Sequence, residues 1–125
     1  CYYCAASAVK EKGFITVSSG IEPKNAEKAE KEILNQLSLI GEGKFTDDEF
    51  GATIRGICDT LKTVNDSQGA LDTWYSNRIF ISPPFTPDEI ADKIGSVKRE
   101  DVIKLARTVS LNTVYLLMPK GAENK

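Results

Sequence analysis

The sequence predicts an α+β fold in which an antiparallel sheet is covered on one face by a layer of helices. Segments with the composition of strands lie near both ends of the chain, at 2–9, 14–19 and 113–118. Between them, apolar residues recur at every third or fourth position, which is the spacing of amphipathic helices. Strands grouped at the ends and helices grouped in the middle indicate a layer of helices on a sheet.

The two opening segments are predicted to form a hairpin. YYCAASAV at 2–9 and FITVSS at 14–19 flank the polar loop 10–13, which ends in glycine. TVYLLM at 113–118 is predicted to be the last strand. Three strands are few for so much helix, so we expect further strands from a missing N-terminal part of the domain or from a partner.

Four or five helices are predicted between the strands. The first has one apolar face and ends at Gly41 and Gly43, because glycine enters the left-handed conformation without a steric cost. The second has a similar face, and the turn-forming cluster at 65–69 interrupts the pattern after it. The residues of these two faces are Ala26, Ala29, Ile33, Leu37 and Ile40, then Phe50, Ile54, Ile57, Cys58, Leu61 and Val64.

Three helix starts are recognisable from their capping chemistry. Thr46 and Thr86 each precede a glutamate by three residues, Glu49 and Glu89, which is the pattern of a capping box. Lys98 occupies a third cap position, where a hydroxyl side chain is more usual. The segment 82–84 (SPP) is predicted to end the helix that precedes Thr86.

The aromatic residues of the helical region are predicted to be structural. Phe45 and Phe50 lie at the spacing of a hydrophobic staple around the second helix start. Trp74 and Tyr75 could stack on a ligand, but aromatic residues at helical spacing more often pack in a core. We therefore predict that Trp74 and Tyr75 are core residues.

Length and charge give one domain, 1–125, with no sign of a nucleic-acid or membrane partner. The 125 residues carry a net charge of −2, and acidic and basic residues are mixed along the helices. No apolar run approaches the roughly 20 residues of a membrane span. The chain opens inside a strand-like segment without a methionine, so we expect it to be the C-terminal part of a domain from a longer protein.

The cysteines do not predict a disulfide framework or a metal site. Cys1, Cys4 and Cys58 are three in number, and Cys58 lies on an apolar helix face. Cys1 and Cys4 form a CxxC pair, but strand residues three apart face opposite sides and a structural zinc takes about four ligands. We expect no metal in this chain and a reducing, cytoplasmic setting.

The chain on its own lacks the residues of the common catalytic sites. It contains no histidine, which excludes Ser-His-Asp and Cys-His catalysis. No glycine-rich phosphate-binding motif is present. The acidic clusters at 47–49, 88–89 and 100–101 coincide with helix starts, where carboxylates stabilise the helix dipole. We therefore predict that this chain is not an enzyme and that it has no catalytic residues.

The motifs together resemble a known family. A YxxxAS-like strand, GFITVSSGIEPKN, FTDDEF, a tryptophan, PPFTPDEI, IxxVxxEDV and TVYLLMPK follow one another across nearly the whole chain. In this order and spacing they resemble the C-terminal, non-catalytic domain of the insulinase or pitrilysin zinc peptidases, the group that includes the mitochondrial processing peptidases.

This resemblance implies a function. In that family two related α+β domains enclose a peptide-binding chamber, and the zinc lies in the N-terminal domain on an HxxEH helix. The C-terminal domain closes the chamber and supplies an arginine and a tyrosine that hold the substrate. Tyr2 matches that tyrosine, with Tyr3 as the alternative, whereas the arginine would lie upstream of this chain. The implied partners are an N-terminal zinc domain, in the same or a sister chain, and a peptide substrate.

A second hypothesis is a stand-alone α+β module that binds a protein or a ligand, because a fold does not determine a function. Both hypotheses leave the opening strand with an exposed edge. We predict that this strand pairs with a second copy or with a remaining piece of its own domain. An unpaired edge in a soluble monomer would favour the stand-alone module.

Overall fold

The computed structural model describes residues 1–9, 12–80 and 84–117. It confirms an α+β fold, with an antiparallel sheet and a helical region. Three predicted features lie outside the described residues: the loop residues Lys10 and Glu11, the helix stop at Ser82 and Pro83, and the end of the last strand at Met118. The elements are β1 Tyr3–Val9, β2 Phe14–Gly20, α1 Ala26–Gly41, α2 Asp47–Thr63, α3 Gln68–Ser76, α4 Pro87–Gly95 and α5 Arg99–Thr108.

The predicted hairpin is present, and its register is regular. β1 and β2 pair antiparallel, with Tyr3 opposite Gly20, Ala6 opposite Val17 and Val9 opposite Phe14. Gly13 precedes β2 with φ of +64°, a conformation that glycine adopts without strain. The side chains of both strands are exposed or half-buried along their whole length.

The end of α1 is a Schellman motif built on Gly43. The Lys44 amide donates to the Leu39 carbonyl at 2.8 Å, and the Gly43 amide donates to the Ile40 carbonyl at 2.9 Å. Gly43 has φ of +74°, as this motif requires. The predicted helix end is therefore confirmed at Gly43, whereas Gly41 is the last residue of α1 and does not have a positive φ.

Two arginines of α5 bind the same joint. Arg99 Nη2 donates to the Gly43 carbonyl at 2.6 Å and to the Phe45 carbonyl at 2.7 Å, and its guanidinium lies 4.4 Å from the centre of the Phe45 ring. Two residues before Gly43, the Gly41 carbonyl accepts from Arg107 Nε at 2.8 Å. The bond to Gly41 satisfies a carbonyl that the end of α1 leaves without an intrahelical partner, and the other two satisfy carbonyls of the joint itself. They also hold α5 against α1.

The predicted helix starts are confirmed. Thr46 Oγ1 accepts from the Glu49 amide at 3.1 Å while the Thr46 amide donates to Glu49 Oε2 at 2.8 Å. Thr86 and Glu89 make the same two bonds at 3.1 and 2.8 Å. Lys98 does occupy the N-cap of α5, where its amide donates to the Asp101 carboxylate at 3.2 Å.

The aromatic predictions have different outcomes. The Phe45 and Phe50 rings lie 6.3 Å apart, which confirms the staple. Trp74 is a core residue with 8% of its surface exposed, and its indole N–H donates to the Phe85 carbonyl at 3.0 Å. Tyr75 is 42% exposed, so the prediction that it is a core residue was wrong. It lies next to Trp74 on the helix and therefore about 100° around the axis.

The prediction of a third strand was also wrong for the residues that are described. The part of TVYLLM that is described, 113–117, forms no strand. Val114 and Tyr115 favour β structure locally, but a strand also needs a neighbour to receive its backbone hydrogen bonds. Among the described residues the sheet has two strands, and 113–117 pairs with neither.

The helices pack mainly on one another, and the core is small. α1 lies on α5, and α2 lies on α4, whereas contact between the helices and the hairpin is slight. Four of the described residues are buried, namely Gly41, Trp74, Pro87 and Ala91. The accessible surface of the chain is 10047 Å². A compact monomer of 13.7 kDa has about 6,600 Å², so this chain exposes about half as much again.

Candidate functional site

The two tyrosines singled out from the sequence lie at the open end of the hairpin. Tyr2 lies just before β1, and its amide donates to the Gly20 carbonyl at 2.7 Å. Tyr3 is the first residue of β1. The Tyr2 and Tyr3 side chains are 79% and 58% exposed. Both rings are therefore accessible to a ligand, and each can offer an apolar face and a hydroxyl group.

Tyr3 is held in place by its cross-strand neighbours. Its ring lies over Gly20, so that a β-carbon added at Gly20 would lie 2.5 Å from Tyr3 Cε1. The Ser19 hydroxyl donates to the Tyr3 carbonyl at 3.1 Å. An aromatic ring that covers a glycine on the neighbouring strand stabilises the pairing at that position. Tyr3 is thus the better fixed of the two rings.

Gly20 is the residue of this site that sequence reasoning missed. The signal that could have identified it is the hairpin register, which places a glycine opposite an aromatic residue. Any larger side chain at Gly20 would displace the Tyr3 ring.

The cysteines do not come together. Cys1 and Cys4 are free and exposed, and Cys58 is free and half-buried on α2. The Cys58 thiol lies 3.4 Å from the Ala91 carbonyl, to which it can donate. Within residues 1–9, 12–80 and 84–117, no three histidine, cysteine, aspartate or glutamate side chains are grouped as a metal would need.

A second surface feature lies between α2 and α4. It is an open, shallow cavity of about 250 Å³ lined by Cys58, Lys62, Ala91, Asp92 and Gly95. Ligand sites of similar volume are usually enclosed and combine apolar walls with a few convergent polar groups. This cavity is the gap left between two packed helices, and it lies apart from the tyrosines in the sequence and in the fold.

The carboxyl groups with a shifted pKa belong to helices or helix ends. The backbone N–H and the hydroxyl of Thr46 donate to Glu49, which lowers the pKa of that carboxyl. The pKa of Glu27 is lowered and that of Lys31 is raised because the two side chains form an exposed pair at 2.6 Å. The pKa of Glu42 is lowered by its hydrogen bond with Lys44. None of these groups lies in a cleft with a nucleophile, the arrangement expected of an acid–base site.

The fold and the site define a class: an α+β chain with an accessible pair of tyrosines at the end of a hairpin that has no third strand among the described residues. Over 122 residues this chain is 29% identical to the "Probable inactive metalloprotease YmfF" of Bacillus subtilis (strain 168). The similarity covers 98% of this chain and 28% of that protein, so the chain spans less than a third of the relative's length. No family model matches the sequence, and no solved structure matches it.

The comparison supports the coarse prediction of a peptidase-like chain. The similarity extends over almost all of the sequence, which includes the hairpin and the helices α1 to α5 of the described residues. In the described part of the chain, no helix is both long enough and apolar enough to cross a membrane.

Proposed function

We propose that this chain is a non-catalytic, peptidase-like domain of a zinc-metallopeptidase-like protein of the insulinase or pitrilysin type. In this proposal it closes a peptide-binding chamber and helps to hold a peptide for a zinc domain elsewhere. The observation that carries the proposal is the similarity over 98% of the chain to a protein named a probable inactive metalloprotease. The absence of histidine from the sequence agrees with a role other than zinc binding.

The tyrosines at the end of the hairpin are the proposed peptide contacts. Tyr3 is the first choice, because Gly20 and Ser19 fix its position while 58% of the side chain stays exposed. Tyr2 is the alternative, since it is the more exposed of the two. A ring on a fixed backbone can stack on a peptide at little cost in conformational entropy, which is why tyrosine is common in binding surfaces.

A peptide-binding experiment tests this role. The probe is a 20-residue casein peptide labelled with fluorescein, and the readout is the affinity measured by fluorescence anisotropy. We expect Tyr3→Ala to weaken binding about tenfold, which is the loss of roughly 1.4 kcal/mol. Tyr115→Ala is the matched control, because Tyr115 is 82% exposed and lies far along the chain from the hairpin. Equal effects of Tyr3→Ala and Tyr115→Ala would contradict the proposed contact, unless Tyr2→Ala alone produced the loss and so identified the alternative.

The stand-alone binding module is the second candidate, and it is favoured by a hairpin that pairs with no further strand in the described part of the chain. The small core counts against it, since a self-sufficient domain of this length buries more of its apolar surface. A thermal unfolding experiment on the chain separates the two candidates. A sharp cooperative transition would favour the stand-alone module, whereas a broad transition would favour a part that needs the rest of a larger protein.

A further inference from the structure

Gly20 lies at a strand position whose backbone does not require a glycine. It is the last residue of β2, and among the described residues only Gly13 and Gly43 have a positive φ. Its carbonyl accepts from the Tyr2 amide at 2.7 Å, a backbone bond that other residue types can also make. A glycine within a strand weakens the strand, because it loses more conformational freedom on folding and has no side chain to pack. The presence of Gly20 therefore has a cause outside its own backbone.

The Tyr3 ring supplies that cause. Three atoms lie nearest to a β-carbon added at Gly20, and all three belong to this ring: Cε1 at 2.5 Å, Cδ1 at 2.7 Å and Cζ at 3.4 Å. Non-bonded carbon atoms pack at about 3.5–4.0 Å, so a methyl group at Gly20 would push the ring away by roughly 1 Å. Tyr3 and Gly20 are directly opposite each other in the hairpin, so the ring and the absent side chain share one face of the sheet. The ring thus occupies the space that a side chain at Gly20 would need.

We infer that Gly20 is a positioning residue for the peptide contact of Tyr3. Because Gly20 has no side chain, the Tyr3 ring lies close against β2, and Gly20 acts through the ring without touching the peptide. The inference rests on the proposed function, since it requires that Tyr3 binds a peptide. It adds the residue that sets where the ring lies before the peptide arrives.

The backbone of Tyr3 is fixed independently of its ring. The Tyr3 carbonyl accepts from the Ser19 hydroxyl at 3.1 Å, and Tyr3 is paired with Gly20 in the hairpin. The freedom left to the ring is rotation about its two side-chain torsions, and the contact with Gly20 limits that rotation. A ring that is ordered before binding loses less conformational freedom when the peptide binds, which raises the affinity.

The position of the ring is the first measurement, and it needs no peptide. In NMR spectra of the unmodified chain we expect a strong nuclear Overhauser effect between the Tyr3 ring protons and the α-protons of Gly20. Gly20→Ala is expected to weaken this effect, because the methyl group displaces the ring from the strand. Gly56→Ala is the matched control and should leave the effect unchanged, since a β-carbon at Gly56 meets nothing within 4 Å. An effect of full strength in Gly20→Ala would overturn the inference.

The affinity for the fluorescein-labelled casein peptide is the second measurement. Gly20→Ala is expected to weaken binding about fivefold in the unmodified chain and to have no effect in a chain that carries Tyr3→Ala. A residue that acts through the ring cannot change the affinity once the ring is absent. Gly56→Ala should leave the affinity unchanged in both chains. A fivefold loss that persists in the Tyr3→Ala chain would overturn the inference.

Two further outcomes separate this role from others. The amide signals of Ala6 and Val17, which pair in the middle of the hairpin, show whether the hairpin stays intact, and we expect Gly20→Ala to preserve them. Their loss together with the loss of binding would assign Gly20 to hairpin stability and overturn the inference. If Tyr3→Ala binds the peptide as the unmodified chain does, the proposed contact fails and the inference fails with it. If only Gly20→Ala binds normally, the inference alone fails.

Discussion

At the scale of single residues, threonine hydroxyl groups at the helix N-caps stabilise the local structure. Thr46 and Thr86 both have extended backbone angles and both close a complete capping box. Each threonine satisfies an amide that the first turn of a helix leaves without an intrahelical partner. Because the core is small, these local contacts form a larger part of the stability than they would in a compact domain.

Removal of either cap hydroxyl is expected to destabilise the chain. Thr46→Ala and Thr86→Ala should each lower the free energy of unfolding by roughly 0.5–2 kcal/mol. Urea denaturation followed by circular dichroism measures the change. Thr46→Ser and Thr86→Ser are the controls, and they should retain most of the stability because serine caps as well as threonine does. A serine variant as unstable as the alanine variant would show that the hydroxyl is not the source of the effect.

The Glu49 carboxyl is expected to make stability depend on pH. Its pKa in the folded chain lies below its ordinary value of 4.5 because Thr46 donates to the ionised form. The unfolded state therefore binds a proton more readily than the folded state, so this contribution is complete above the ordinary value and is lost as the pH falls below it. Urea midpoints measured from about pH 6 down to about pH 3 should fall less in Glu49→Gln than in the unmodified chain. Identical pH profiles would contradict this assignment.

At the scale of elements, the helices could be predicted from the sequence because their signals are local. Apolar spacing, the threonine caps and Gly43 each act within a few residues, and all of them are confirmed. A strand at 113–117 would need a neighbouring strand to pair with, and the residues of this segment do not specify that neighbour. The arginine contacts with the α1–α2 joint were also not predicted, since Arg99 and the Gly43 carbonyl are 56 residues apart.

The Arg99 contacts are expected to depend on the guanidinium and not only on positive charge. Arg99→Lys should lower the free energy of unfolding by about 1.5–3 kcal/mol, because it removes the planar guanidinium that packs on the Phe45 ring while one of its nitrogens donates to the Gly43 and Phe45 carbonyls. Arg55→Lys, at an exposed position of α2, is the control and should change stability little. Urea denaturation of both variants is the measurement. Equal stability of the two variants would show that the contacts at the joint contribute little.

At the scale of the whole molecule, the α+β class could be predicted, but the size of the sheet could not. Sheet size depends on strands that come from elsewhere in sequence or from another chain. The candidate site, too, could be predicted only in part from the sequence. The resemblance implies a site at Tyr2 or Tyr3, and the structure adds that the Tyr3 ring lies over Gly20. In the proposed function the peptide contact depends on a second domain as well, so a binding measurement tests it more directly than the pattern of residues does.

The central claim is that this chain holds a peptide without cutting it. The most direct measurement is the fluorescence anisotropy of the end-labelled casein peptide, followed over several hours with the chain and equimolar zinc. The account predicts a rise in anisotropy that stays constant, because a bound and intact peptide tumbles slowly. A decline below the value of the free peptide would contradict it, because cleavage would release a shorter labelled fragment. No rise at any concentration of the chain would contradict the peptide-holding role itself.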